Sequence, residues 1–503
     1  MPFGNRSHPR VGSGSPSDRG DAGLSGAGRI LRGVGFNLLG MFAPLVAALF
    51  AIPLVMRHLG AEAFAILNLC WIVLGYMAMF DLGLGRALAR ALAAGDEDEG
   101  GLVWTAVLLL GLLGIVAGGV LILATPLLIA HVIVPPDHLA QAATWSLWLI
   151  GLSMPAVTMG GGLGGILVAR GRFGQIAAVR VPTGIGTYLA PAILAPFLTL
   201  GPLVAMTLAF RWVALVAHAL QVRVAVPTLG HRPRFVSRHA RDLLRIGGWM
   251  SVSALVGPVM VYLDRFLVAA MVPLARLPAY LIPCEIIARA VLLPGAVVGV
   301  LFPAFSAATN DPQRMARLHG RGLLLTGLLL VPTCAFLAAL GPWLLHLWLP
   351  DPDISAAAAA PLRLLAFGLL LNGLAHVPFT LLQGLGRVRT TAVLHVVELP
   401  CFLALLGWLV PIHGVAGAAM AWCLRAGADA AVLMILVRRT GLSGLSPTAW
   451  LQMSAVVLMC ALAAVPGPLS WIGLGAAVAT AAGAAIHLMR SHPGGVRSLL
   501  SPT

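Results

Sequence analysis

Apolar runs of about twenty residues or more follow one another along most of this 503-residue chain, and arginine punctuates the short connections between them. A helix crosses the hydrocarbon core of a bilayer in about 20 residues. Charged residues make up only 10% of the chain, against about 25% in a soluble domain. The chain is therefore read as an all-α polytopic membrane protein. Spans are predicted near 33–56, 62–80, 102–130, 140–168, 175–198, 200–222, 248–272, 278–304, 322–347, 361–384, 390–411, 415–437, 448–465 and 469–488, which makes about 14.

All 32 basic residues are arginine, and the spans sort them. Twenty-four fall on one side, among them Arg86, Arg90, Arg170, Arg172, the 223–245 group, Arg314, Arg317, Arg321, Arg387, Arg389, Arg438 and Arg439. Two, Arg57 and Arg276, fall on the other, and six (Arg180, Arg211, Arg265, Arg289, Arg363 and Arg425) lie inside apolar stretches. Short loops rich in arginine stay in the cytoplasm, so both termini are expected there. The formal charge of +15 is explained by topology, and no nucleic acid partner is implied. The six cysteines form no CxxC pair and read as small buried hydrophobes, with no metal site.

The expected organisation is a disordered cytoplasmic tail (1–28), an N-lobe of six helices (29–222), a basic linker (223–247), a C-lobe of six helices (248–440), two further helices (441–489) and a cytoplasmic tail (490–503). The halves echo each other. Pro44 and Arg211 match Pro258 and Arg425 at an offset of 214, and Gly171-Arg172 matches Gly386-Arg387 at 215. A six-helix repeat in one orientation implies a pseudo-twofold axis along the membrane normal, with a cleft between lobes. Gly160, Gly162 and Gly165 spell GxGxxG and Gly114 and Gly118 spell GxxxG, but inside apolar helices these signal close packing, not a nucleotide. With no lysine, no Walker A motif is possible and no cofactor is indicated.

An arginine at bilayer depth costs roughly 2.5–3.5 kcal/mol on insertion scales, so each of the six needs a reason. Glu285 and Arg289 stand four apart, as do Arg425 and Asp429, a spacing that suits ion pairs within a helix. Arg211 has no acid within a turn, so its partner must come from another helix or from a ligand. Arg363 is close enough to the interface to snorkel, and Arg180 approaches the cytoplasmic side. Arginine stays charged and offers a planar fork that suits phosphate oxygens. The expected anion-binding set is Arg211, Arg265, Arg289 and Arg425, with Arg211 and Arg425 facing one ligand from matching places in the two halves. Asp264, Glu285, Glu398 and Asp429 would balance charge or couple an ion.

Further stretches carry a resemblance. Asn37 to Pro53, then Arg57-His58-Leu59-Gly60, then Asp81-Leu82-Gly83-Leu84-Gly85 look like the opening of bacterial polysaccharide flippases. Gly248-Trp249 through Tyr262-Leu263-Asp264-Arg265, Leu301 to Ser306, and Leu382-Gln383-Gly384-Leu385-Gly386-Arg387 are similar to members of the same family. The chain thus resembles the oligosaccharide flippase (Wzx-type) branch of the MOP superfamily, from about residue 29 to 440. The resemblance implies a MATE-like two-lobed bundle (6+6 helices) plus two C-terminal helices. It also implies translocation of undecaprenyl-diphosphate-linked sugars across the bacterial inner membrane by alternating access, with cationic residues engaging the diphosphate. The implied partners are lipid-linked oligosaccharide, membrane lipids and polysaccharide polymerase or export machinery around a monomer, with no catalytic residues. Two other readings stay open. A MATE-like small-molecule exporter shares the fold, but an arginine-dominated interior suits anionic cargo. A membrane glycosyltransferase, polymerase or ligase would need a sizeable external loop, and 348–360 offers only Asp351 and Asp353.

Overall fold

A computed structural model describes residues 16–77, 84–94, 98–226, 229, 233–308, 311–442, 467, 470–476, 478–480 and 483. Every regular element in these segments is helical, and thirteen α-helices run from Pro16 to Arg439. The first half holds α1 (Pro16–Met77), α2 (Leu84–Ala94), α3 (Glu99–Leu128), α4 (Asp137–Ala169), α5 (Phe173–Leu194) and α6 (Leu200–Ala225). The second holds α7 (Ser237–Met271), α8 (Pro278–Ala290), α9 (Leu292–Ala307), α10 (Pro312–Ala339), α11 (Gly341–Trp348), α12 (Pro352–Gly384) and α13 (Val388–Arg439).

Among the described residues nine helical stretches are long and apolar enough to cross a membrane. The outer surface agrees. Leu123 is 82% exposed and Phe197 79%, which would be a liability in water and is ordinary against lipid. Two of the nine stretches are hairpins: α1 breaks at Gly60 and α13 at Gly414. With α7, the stretches between 33 and 437 therefore supply the first twelve predicted spans. The predicted spans at 448–465 and 469–488 lie mostly outside the described residues, apart from helical residues at 470–476, 478–480 and 483.

The structure corrects several expectations. Helix α1 takes in residues 16–28, where composition suggested an irregular tail; no proline interrupts the run from Pro16 to Pro44. The span at 278–304 is two helices, α8 and α9, separated at Val291. There Pro294 removes an N–H from the ladder. The span at 322–347 is likewise divided between α10 and α11 at Leu340. Helix α2 was not foreseen, being too short to register as a span.

Sequence chemistry accounts for many ends. Asp98, Asp311 and Asp351 cap α3, α10 and α12 by accepting from backbone N–H groups of the first turn. Pro312 and Pro352 fill first-turn positions where no N–H is needed. The Gly171 and Gly386 turns are superimposable in their bonding. Arg170, Gly171 and Arg172 donate to Ile166, Val168 and Leu167, and Leu385, Gly386 and Arg387 donate to Leu381, Gln383 and Leu382, each partner 215 residues on.

Within the first half α3 packs on α4, α4 on α6 and α1 on α5; within the second, α12 packs on α13 and α10. A Cβ on Gly118 would stand 2.2 Å from the Gly151 carbonyl oxygen, so the GxxxG of α3 is the close approach expected of small residues in membrane bundles. Of the GxGxxG glycines, Gly162 meets Leu110 and Gly165 meets Gly85, while Gly160 has open space beside it. The halves meet where α1 touches α8 and the 3-10 turn Leu274–Arg276, and where α7 touches α2 and α3.

The Gly414 hairpin gives a direct test. Its φ of 57° and ψ of −137° suit glycine, while a Cβ there would meet nothing within 4 Å. Gly414→Ala therefore acts through the backbone alone and is expected to cost about 1–3 kcal/mol. A lowered thermal midpoint in detergent checks it, with Gly407→Ala, an uncrowded glycine without positive φ, as the control that leaves the midpoint nearly unchanged.

Candidate functional site

A cavity of about 480 Å³ lies between the halves. Its walls come from α1 (Leu45, Leu49, Ile52, Asn68, Trp71), α5 (Thr187, Tyr188), α6 (Arg211), α7 (Tyr262), α8 (Ile282, Glu285, Arg289) and the end of α11 (Trp348). Prolines shape this region. Pro44 and Pro53 lie in the first limb of α1, and Pro182 and Pro191 in α5, each withdrawing one N–H from its helix.

Three of the expected charged residues face this cavity: Arg211, Glu285 and Arg289. Glu285 is shared. Its Oε1 accepts from Arg265 at 2.7 Å and its Oε2 from Arg289 at 3.3 Å. Arg265 is 3% exposed, stacks on the Tyr262 ring with its guanidinium 4.4 Å from the centroid, and stands behind the cavity wall. Arg289 is 45% exposed and is the accessible partner. Asp264, next to Arg265, accepts from the buried Tyr280 hydroxyl, and its other oxygen has no hydrogen-bond partner.

Arg211 differs from the others. Among the described residues it forms no ion pair, its Nε has no hydrogen-bond partner, and the neutral Tyr188 lines the cavity beside it. Tyr188 stands beside both Arg211 and Arg289 and meets Trp71 edge to face at 4.9 Å. A cation held in low dielectric without a counter-charge is costly, and an anion entering the cavity would neutralise it.

Arg425 is not on this cavity, which corrects the expectation that it and Arg211 face one ligand. It lies inside the second half, 9% exposed, pairing with Glu398 at 3.0 Å and stacked near Phe402 and Trp422. The within-helix pair expected with Asp429 is replaced by this cross-helix pair, because the hairpin at Gly414 lays one limb of α13 against the other. Glu398 also bonds His395 at 3.2 Å, and Asp429 completes a group with both whose ligand atoms lie within 4.8 Å of one another. The expected acids thus divide, with Glu285 at the cavity, Asp264 behind it, and Glu398 and Asp429 in the second half. Arg180 and Arg363 line no part of the cavity; the Arg180 stem lies over Gly40 of α1.

Sequence reasoning missed the aromatic wall of Trp71, Tyr188, Tyr262 and Trp348. Their spacing shows no periodicity, since they come from four different helices. It also missed His395, whose only signal was its place three residues before Glu398.

Comparison with known proteins gives the lineage. The family model described as "Polysaccharide biosynthesis protein" matches residues 54–351. The chain belongs to this family. A MatE model also matches residues 302–409. A Shigella flexneri protein named "Putative O-antigen transporter" is 27% identical over 418 residues, covering 82% of this chain and 98% of that one. Among solved structures, the lipid II flippase MurJ in an inward closed conformation superposes with a TM-score of 0.73 at 12% identity, covering 91% of this chain and 99% of the other. An inward-facing MATE multidrug resistance transporter of the MOP superfamily gives 0.65 at 16% identity, over 81% and 99%. The fold of this family member is that of the MOP superfamily, and its resemblance to the oligosaccharide flippase branch holds.

Proposed function

We propose that this chain flips an undecaprenyl-diphosphate-linked oligosaccharide from the cytoplasmic to the periplasmic leaflet of the bacterial inner membrane by alternating access. The product would serve O-antigen, exopolysaccharide or capsule synthesis. The observation that carries this reading is the inter-lobe cavity in which the one charge without an ion-pair partner, among the described residues, is Arg211, with Arg289 accessible beside it. Guanidinium pairs suit a diphosphate. Pockets of roughly 300–1,000 Å³ enclose a drug-sized ligand, so this cavity takes the head of a lipid-linked glycan and leaves the lipid tail in the bilayer. The name of the Shigella relative supports the same cargo class.

The MATE-like exporter reading draws on the MatE match. It is the weaker one, because cationic cargo needs a free acid and Glu285 is already divided between two arginines. In this reading the arginine-rich loops and both termini face the cytoplasm, the protein works as a monomer beside polymerase or export machinery, and the residues bind cargo without catalysing a reaction.

The deciding experiment removes the gene and follows the lipid-linked oligosaccharide by leaflet. Accumulation on the cytoplasmic face, reversed by the restored gene, is expected. An intermediate that still reaches the periplasmic face at the normal rate overturns the proposal.

A further inference from the structure

We propose that the Trp348 indole and the Leu49 carbonyl form a latch that closes the inter-lobe cavity at the end nearer the Gly60 hairpin. The inference rests on alternating access, and it concerns how the cavity is sealed, not what it carries.

In an α-helix the carbonyl of residue 49 accepts from the N–H of residue 53. Residue 53 is a proline inside α1, so the Leu49 carbonyl loses its helical donor. In a bilayer such a carbonyl must find another partner. The Trp348 indole N–H supplies it at 2.6 Å, from 299 residues away in the other half of the chain. Leu49 and Trp348 both line the cavity, so the bond bridges its two walls.

The placement suits a moving part. Trp348 is the last residue of α11, an eight-residue helix, and Leu349 beyond it is extended. The donor thus sits at the tip of a short element and not in a long packed helix. At the other end of the bundle the halves are tied differently. Asp98 pairs with Arg234 at 3.7 Å and His239 at 3.6 Å, and the Val236 N–H donates to Thr105 Oγ1 at 2.9 Å. One end is therefore held by ionic contacts through the linker between the halves, the other by a hydrogen bond between neutral groups.

The strength is appropriate to a seal that breaks each cycle. A neutral hydrogen bond shifts an equilibrium by about threefold to tenfold net. That biases the closed state without locking it, and once the end opens, water entering the cavity can take over the carbonyl.

The test uses the full-length chain in membrane vesicles, with Cys401 and Cys460 replaced by serine and Gly75→Cys as reporter. Gly75 lines the cavity, and an added side chain there meets nothing within 4 Å. A membrane-impermeant maleimide is applied from the side of the Gly60 hairpin, and insertion is matched by immunoblot. Trp348→Phe keeps the ring and removes the donor, and it is expected to speed labelling about threefold to tenfold. Pro53→Ala restores an N–H to the Leu49 carbonyl, so in that background the Trp348→Phe effect should shrink towards nothing. No effect of Trp348→Phe overturns the latch, and so does an effect of equal size with alanine at position 53. The assay needs no cargo, so its outcome is separate from that of the flippase reading.

Discussion

Arg211→Gln slows flipping by about tenfold to a hundredfold, the loss expected when hydrogen bonds from a charged donor to an anion are removed, while the protein still inserts. Arg211→Glu goes further, because it places a repelling charge where the diphosphate should sit. Arg211→Lys retains part of the rate, keeping the charge without the planar fork. The contrast with a structural arginine is built into the site. Removing Arg211 leaves no carboxylate behind, since among the described residues it pairs with none. Initial rates of leaflet transfer, together with binding of undecaprenyl diphosphate to the purified variants, measure this. Wild-type rates in all three variants would take Arg211 out of the cargo site.

Arg425 behaves in the opposite way. Arg425→Ala takes from the buried Glu398 its guanidinium partner, leaving it the His395 contact at 3.2 Å, and is expected to cost about 3 kcal/mol, the low end of the penalty for breaking a buried pair from one side. The thermal midpoint in detergent falls accordingly. Replacing Glu398 by alanine as well removes that carboxylate and recovers part of the loss. If the double variant also transports at a permissive temperature, Arg425 acts in the scaffold. A midpoint that Arg425→Ala leaves unchanged would sink the structural account.

The spans were legible because lipid imposes a length and a composition that apolar runs display directly. Even the hairpins at Gly60 and Gly414 were visible as short breaks. The division of 278–304 was not, because composition stays apolar through Val291 and only the ladder lost at Pro294 reveals it. Arg211 was legible as a cation with no acid on its own helix. Arg425 was misplaced because the match with Arg211 at an offset of 214 records position along the chain, whereas a side chain's facing depends on what packs against it. Asp429 looked like its partner by helical spacing, yet Glu398 reaches it from the other limb of the hairpin at 3.0 Å. Helical periodicity carries contacts within a helix and is silent on those between helices. The aromatic wall stayed hidden for the same reason.

The division of Glu285 between Arg265 and Arg289 has a consequence for the journey back. A carrier that has delivered its cargo must reorient empty, and a site rich in unmatched cations would stall there, tethered to any anion on the far side. In the proposed cycle a phosphate that draws Arg289 away leaves Glu285 with Arg265 at 2.7 Å, and on its departure Arg289 can fall back 3.3 Å from the same carboxylate. One acid thus keeps a basic partner in both directions, so in the proposed cycle Arg211 is the group whose charge is matched in the loaded carrier and unmatched in the empty one. Under the proposed function, that sharing of one acid favours rapid recycling, and not grip alone.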